Sequence, residues 1–198
     1  MGGLLVRAMT ADDCDAVAAV RIGGWRWAYA GLMPRAYLDA MSVEEDAARR
    51  RAQLPSGAGD RRVVNVVAER AGTVVGWGCL GPCRDQDVPD GTGELYALYV
   101  DPEQVSTGVG RALARTLVER ATADGFSSLV LWVLRENDRA RRFYEKAGFT
   151  PDGAEEPFEV GGVSVPEVRY ARSLTRPVTQ TVTRPLTRPL TRTVTRAG

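Results

Sequence analysis

The apolar positions along the chain change period several times, and each change marks an element. The cluster LLVRAM (Leu4–Met9) predicts a short opening strand. Thr10 with Asp13 forms a capping-box pattern with an acidic first turn, so a helix is expected to about Trp27. AGLMP breaks that helix, and a short helical piece is predicted over Tyr37–Met41. Ser42 with Glu45 repeats the capping pattern and opens a helix through about Arg51. RVVNVVAER (Arg62–Arg70) and TVVGWGCLG (Thr73–Gly81) are rich in β-branched residues and separated by Ala71-Gly72, a hairpin signal. ELYALYV (Glu94–Val100) is a further strand, and Gly108–Ala123 has helical spacing closed near Gly125. SLVLWVL (Ser128–Leu134) is apolar on both faces, as a central strand is. Asn137 or Asp138 caps a helix to Ala147, and FEVGGVSVPEVRYAR folds back around Gly161-Gly162 as a closing hairpin.

Strands with helices interspersed, but not strictly alternating, predict a mixed α/β fold. The expectation is one twisted sheet of about seven strands, flanked by helices on both faces. Residues 1–174 form this domain. Residues 175–198 repeat Thr-Arg-Pro units with no helical period and are expected to be an extended or disordered tail.

Composition narrows the chemistry. The chain of 198 residues contains no histidine, which removes Ser-His-Asp and Cys-His catalysis and histidine-ligated metals. No metal site is expected. Proton transfer falls to Glu, Asp, Tyr, Cys or the single lysine, Lys146. Three cysteines (Cys14, Cys79, Cys83) without CxxC spacing fit buried, reduced thiols and a cytoplasmic location. The opening MGGLLVRAMTADD lacks the pattern of a signal peptide, and no run approaches a membrane span, so no membrane partner is expected. The net charge is +1, yet the tail holds five arginines and no acid. That bias is the one feature that invites nucleic acid or an acidic partner. A solvated linker explains it equally well.

The stretch VDPEQVSTGVGRALARTLVERA places two glycines, Gly108 and Gly110, where a helix must begin. A helix N-terminus presents unpaired N–H groups and about +0.5 of a charge, and so favours phosphate. Residues without Cβ let a pyrophosphate approach that backbone, and Ser106 and Thr107 add hydroxyls. Alone, G-x-G is a weak signal. The spacing fits neither a Rossmann fingerprint nor a Walker loop.

One strand later comes ENDRARRFYEKAGF (Glu136–Phe149). Together with ELYALYVDPE and the glycine stretch, it resembles the GNAT superfamily of acetyl-CoA-dependent N-acetyltransferases over about residues 4–171. The signature Asn-x-x-Ala-x-x-Phe-Tyr-x-x-x-Gly-Phe is matched by Asn137, Ala140, Phe143, Tyr144, Gly148 and Phe149. The phosphate loop departs from the family pattern, with Val105 at the usual Gln/Arg position and Gln104 one residue earlier. Main-chain contacts survive that departure.

The resemblance implies acetyl-CoA as acyl donor, direct transfer to an amine, and a homodimer. It assigns the cofactor to Leu98, Tyr99, Val100, Val105, Ser106, Thr107, Gly108, Val109, Gly110, Arg111, Asn137 and Ala140. It makes Tyr144 the general acid that protonates the departing thiolate. Glu94 is the expected general base, partly buried and on the same side of its strand as Tyr96 and Leu98. Trp25, Trp27, Tyr29 and Tyr96 are the expected acceptor wall, where an ammonium gains cation–π attraction. Trp132 reads as core. The acceptor is a small-molecule amine or a protein N-terminus. A silent CoA-binding sensor and a tail-borne nucleic-acid binder are the competing readings.

Overall fold

The computed structural model describes residues 3–53 and 63–174. The expected tail (175–198) and the start of the second predicted strand lie outside the described residues. The strands are β1 (Leu4–Ala8), β2 (Val64–Arg70), β3 (Thr73–Pro82), β4 (Thr92–Val100), β5 (Ser128–Leu134), β6 (Thr150–Val160) and β7 (Val163–Ser173). The helices are α1 (Cys14–Ala28), α2 (Arg35–Asp39), α3 (Val43–Gln53), α4 (Val109–Ala123) and α5 (Asp138–Lys146). All seven strands join one sheet in the order β1-β2-β3-β4-β5-β7-β6, so the expected mixed sheet is the observed one.

Alternation along β3 assigns the two layers. Trp77 and Cys79 pack with Val17 of α1 on one face. Gly76 and Gly78 point the other way, toward α4. A Cβ at Gly76 would stand 2.8 Å from Val109, and one at Gly78 would stand 2.6 Å from Leu117. The bare backbone therefore lets α4 lie close on the sheet. Val109, Leu113, Leu117 and Ala121 recur every fourth residue along α4 and are all buried, a stripe of one helical face. Each leucine of that stripe contributes about 1.5–3 kcal/mol by leaving water. A valine at position 78 would push Leu117 off the sheet and break this contact.

The sequence reading misses most of β6. PDGAEEP carries no predicted element, yet the strand runs from Thr150. Pro151 and Pro157 lie in it without cost to the ladder because β6 is an edge strand with only β7 as partner. Its register breaks between Pro151 and Glu155.

Two irregularities in β4 create the site. β4 pairs with β5 in parallel only from Thr92–Ser128 to Glu94–Val130, and beyond Glu94 the two strands part. On its other side, β4 carries a bulge against β3: Ala97 pairs with Cys79 and Leu95 with Leu80, leaving Tyr96 extra. The bulge cancels the simple alternation expected for Glu94, Tyr96 and Leu98. Leu95 and Leu98 both face the α4 core, whereas Tyr96 packs on the α1 side.

Candidate active site

The fork between β4 and β5 opens into a cleft of about 650 Å³. Leu95–Val100 line one side, Trp132 and Val133 the other, α5 the floor, and the end of α1 the rim. Because β5 has turned away, the edge of Leu95–Val100 that would face it keeps its main-chain groups available. Leu98, Tyr99 and Val100 all line the cleft, as the sequence reading expects.

The phosphate end is built from backbone. Asp101 accepts a hydrogen bond from the Glu103 N–H at 2.9 Å and starts a 3-10 turn over Pro102–Gln104. Ser106 then takes φ +67° and Gly108 φ +93°. Two left-handed residues this close together turn successive N–H groups inward as an anion-binding concavity. Only glycine adopts φ +93° without strain. Ala112 is the first N–H of α4 to find a carbonyl, that of Gly108 at 3.0 Å. Among the described residues, the N–H groups of Gly108 to Arg111 ahead of it have no such partner.

Side chains around this loop divide into two sets. Val105, Ser106, Gly108, Gly110 and Arg111 line the cleft. Thr107 and Val109 do not. The Thr107 hydroxyl donates to the Gln104 carbonyl at 2.7 Å, and its own N–H returns to the same oxygen at 3.3 Å. Val109 is fully buried under the sheet. The Thr107 hydroxyl and the Val109 side chain brace the loop, and the Val109 main-chain N–H remains among the unpaired donors. Gln104 accepts from Arg70 and faces away, so it does not replace the family's usual residue. A Cβ on Gly110 would meet Phe143 at 3.4 Å, so its glycine serves the approach of α5.

Further charge at this end comes from α5. Arg139, Arg142 and Lys146 join Arg111 along the cleft. Their spacing of three and four residues puts them on one face of α5. Arg139 also donates to the Ser106 hydroxyl at 3.1 Å and covers the Trp27 ring at 4.7 Å.

Asn137 caps α5 by accepting from the Ala140 N–H at 3.1 Å, and both residues line the cleft. Its side-chain NH2 remains to donate into the cleft. About two turns after Asn137, Tyr144 lines the same cleft, its ring edge-on to Phe143 and Phe149. Burial pushes this phenol well above its ordinary pKa, with the nearby Tyr99 adding to it. It stays protonated through neutral pH, and its hydroxyl finds no partner among the described residues.

Two expectations fail on geometry. Glu94 is 2% exposed and does not line the cleft. Its carboxylate accepts from Arg84 Nε at 3.0 Å and from the Arg84 main-chain N–H at 3.1 Å, and it pairs with the outer guanidinium nitrogen as well. Both carboxylate oxygens are occupied by Arg84, and the side chain takes no part in lining the cleft. Trp25 is likewise no wall: it is buried among Tyr29, Tyr37, Tyr99 and Phe158. Trp27, 44% exposed, Tyr29 and Tyr96 do reach the cleft. Trp132, read as core, lines it too, fixed by its indole N–H donating to Asp85 at 3.1 Å. The three cysteines are free, and burial raises each thiol, Cys79 to about 12, so none is a nucleophile at neutral pH.

A forked sheet whose gap ends on a helix N-terminus, with a protonated phenol inside, defines a protein that grips an elongated anionic molecule between two strands. The family profile described as the acetyltransferase (GNAT) family matches residues 24–149, and the chain belongs to that family. It is 33% identical over 165 residues to the uncharacterized N-acetyltransferase YuaI of Bacillus subtilis, covering 82% of this chain and 89% of that protein. A mycothiol acetyltransferase of Thermobispora bispora is 40% identical over 85 residues, which is 42% of this chain and 29% of that one. Among solved structures, the PaiA N-acetyltransferase of Thermoplasma acidophilum, in complex with coenzyme A, superposes with TM-score 0.63 at 21% identity. The match covers 86% of this chain and 99% of that one, and shows a shared fold.

Proposed function

We propose that the protein transfers the acetyl group of acetyl-CoA to a primary amine, both bound at once in the β4–β5 cleft. The observation that carries this reading is the joint placement of the unpaired N–H groups of Gly108–Arg111 and the Tyr144 hydroxyl along one gap. The residues fit the donor. Gly108–Arg111 and the Ser106 loop suit a pyrophosphate, with Arg111, Arg139 and Arg142 supplying charge. The unpaired edge of Leu98–Val100 and the amide of Asn137 suit the two amides of a pantetheine arm. Bound there, acetyl-CoA supplies a thioester carbon open to attack by nitrogen and a thiolate that can leave.

The protein's part is to position these groups and move protons. A main-chain N–H on the open β4 edge polarises the carbonyl. Tyr144 donates its proton to the leaving sulfur. Tyr29, Tyr96, Trp27 and Trp132 surround the acceptor side. The acceptor is a small-molecule amine or a protein N-terminus. The reduced cysteines suit a cytoplasmic enzyme, and a homodimer is tested by sedimentation.

Calorimetry with coenzyme A, followed by thiol release from acetyl-CoA with an amine and peptide panel, tests the function. Binding with amine-dependent release supports it. Binding without release from any amine indicates a CoA-binding sensor, and no binding at all removes the reading.

A further inference from the structure

We infer that Glu167 on β7 accepts the proton that the amine must lose before it attacks, the role the sequence reading gives to Glu94. This rests on the acetyl-transfer reading above and deepens it. An amine reaches the cleft as an ammonium at neutral pH, so a carboxylate with room for a proton has to stand on the acceptor side. Most acidic groups near that side are committed. Asp85, Asp87 and Asp152 bind Arg169, Glu155 binds Arg135, and Glu94 binds Arg84. Glu167 has no ion pair or hydrogen bond among the described residues.

The register places it. Glu167 lies opposite Leu134 on one side and opposite Glu156 on the other. Directly opposed residues share a face of the sheet. Leu134 packs with Trp25, Met33 and Val165, with Tyr29 and Tyr99 beside them, so Glu167 is on the acceptor face. Tyr29 and Tyr99 line the cleft, and both phenols respond to the Glu167 charge, Tyr29 strongly held up and Tyr99 raised, each mainly by burial. Glu167 does not itself line the cleft; it lies on the sheet face that carries Tyr29 and Tyr99, which do, and has a second carboxylate opposite it. Glu156 of β6 lies opposite it, and Tyr29 from the end of α1 and Tyr99 from β4 pack in the cluster of Leu134 and Val165 on the same face. Arg21 of α1 acts on Tyr99 from the far side, and Arg169, two residues along β7, is spent on its aspartates.

Burial first, and the like charge of Glu156 second, push Glu167 up to about 7. A base whose pKa matches the working pH holds a useful fraction of carboxylate and still gains a proton readily. The step balances. One ammonium proton is taken up at a Tyr29 or Tyr99 hydroxyl, which lines the cleft, as that hydroxyl gives its own proton to the Glu167 carboxylate. The freed nitrogen pair forms the C–N bond as the C–S bond breaks, and Tyr144 protonates the sulfur. The proton that nitrogen loses on becoming an amide restores Tyr144, and Glu167 gives its own to water.

The test uses two measurements on the full chain. The first follows the carboxyl carbons of 13C-glutamate-labelled protein saturated with coenzyme A, with Glu167→Gln and Glu156→Gln to assign them. A Glu167 midpoint near 7 that falls in Glu156→Gln supports the proposal. A midpoint in the ordinary glutamate range overturns it, whether or not an acceptor is known. The second is kcat/KM against pH with acetyl-CoA and the amine selected by the panel. Glu167→Gln should lose about 10²-fold and the acid limb near pH 7, with coenzyme A affinity unchanged and partial recovery in Glu167→Asp. A variant that keeps the wild-type limb overturns the assignment. Failure of the acetyl-transfer reading shows separately, as wild-type protein that acetylates no amine.

Discussion

The two walls of the cleft are made differently. The cofactor wall comes from two short stretches, residues 105–111 and 137–146, and its key donors are main-chain N–H groups fixed by a cap and by positive φ at Ser106 and Gly108. The acceptor side gathers Tyr29, Tyr96, Tyr99, Trp132 and Glu167 from four elements, and each acts through its side chain. A backbone site is set by local conformation. A side-chain site is set by register and by who pairs with whom, as the fates of Glu94 and Glu167 show. Variants on the first wall should therefore disturb one function cleanly. Variants on the second should mix function with stability and pH.

The largest effect expected is at Tyr144, where the walls meet. Tyr144→Phe keeps the ring packed against Phe143 and Phe149 and removes only the proton. Its kcat should fall by about 10²–10⁴-fold. Calorimetry should find coenzyme A binding unchanged. A variant with wild-type kcat would leave the leaving thiolate to solvent and take Tyr144 out of the chemistry.

Gly108→Val comes next and stays within the cofactor wall. A branched residue at φ +93° carries about 1–3 kcal/mol of strain, which the loop relieves by giving up its inward N–H geometry. The dissociation constant for coenzyme A should rise by about 10–100-fold, since 1.4 kcal/mol is about a factor of ten. The KM for the amine should hold. Equal losses for both ligands would show that the two walls are one cooperative unit and would end the contrast.

This division also explains what the sequence discloses. Strand and helix positions follow from period, caps and glycines, all local, and the cofactor wall is legible for the same reason. Where reading stops, a non-local fact has intervened. The bulge at Tyr96 depends on β3 and parts the faces of Tyr96 and Leu98, while the Glu94 carboxylate is taken by Arg84 from the loop before β4. The strand over Pro151 and Pro157 goes unpredicted because nothing in PDGAEEP says that β6 lies at the sheet edge. Trp25 and Trp27 are two residues apart in one helix, and only the packing of α1 decides which is core and which meets Arg139. Glu167 carries no motif. Its raised proton affinity comes first from burial and then from Glu156, eleven residues away across a hairpin, neither of which is visible locally.

The smallest effect expected is a stability change on the acceptor wall, and its sign is diagnostic. Glu167 has an ordinary value of 4.5 and a folded value of about 7. Between these the folded protein binds more protons than the unfolded chain, so stability falls as pH rises through the window. Below about pH 4.5 both states hold the proton and no penalty exists. Glu167→Gln removes the titrating group. Urea denaturation at about pH 8 should find the variant more stable than wild type by about 1 kcal/mol, a figure reduced for the side chain's partial exposure. At about pH 4 the two should agree. Glu156→Gln should narrow the wild-type penalty by removing the like charge, whereas Gly108→Val should leave its pH dependence untouched. A Glu167→Gln protein less stable than wild type at both pH values would mean that the carboxylate is tied to a cation, as Glu94 is, and that the acceptor wall has no group waiting for a proton.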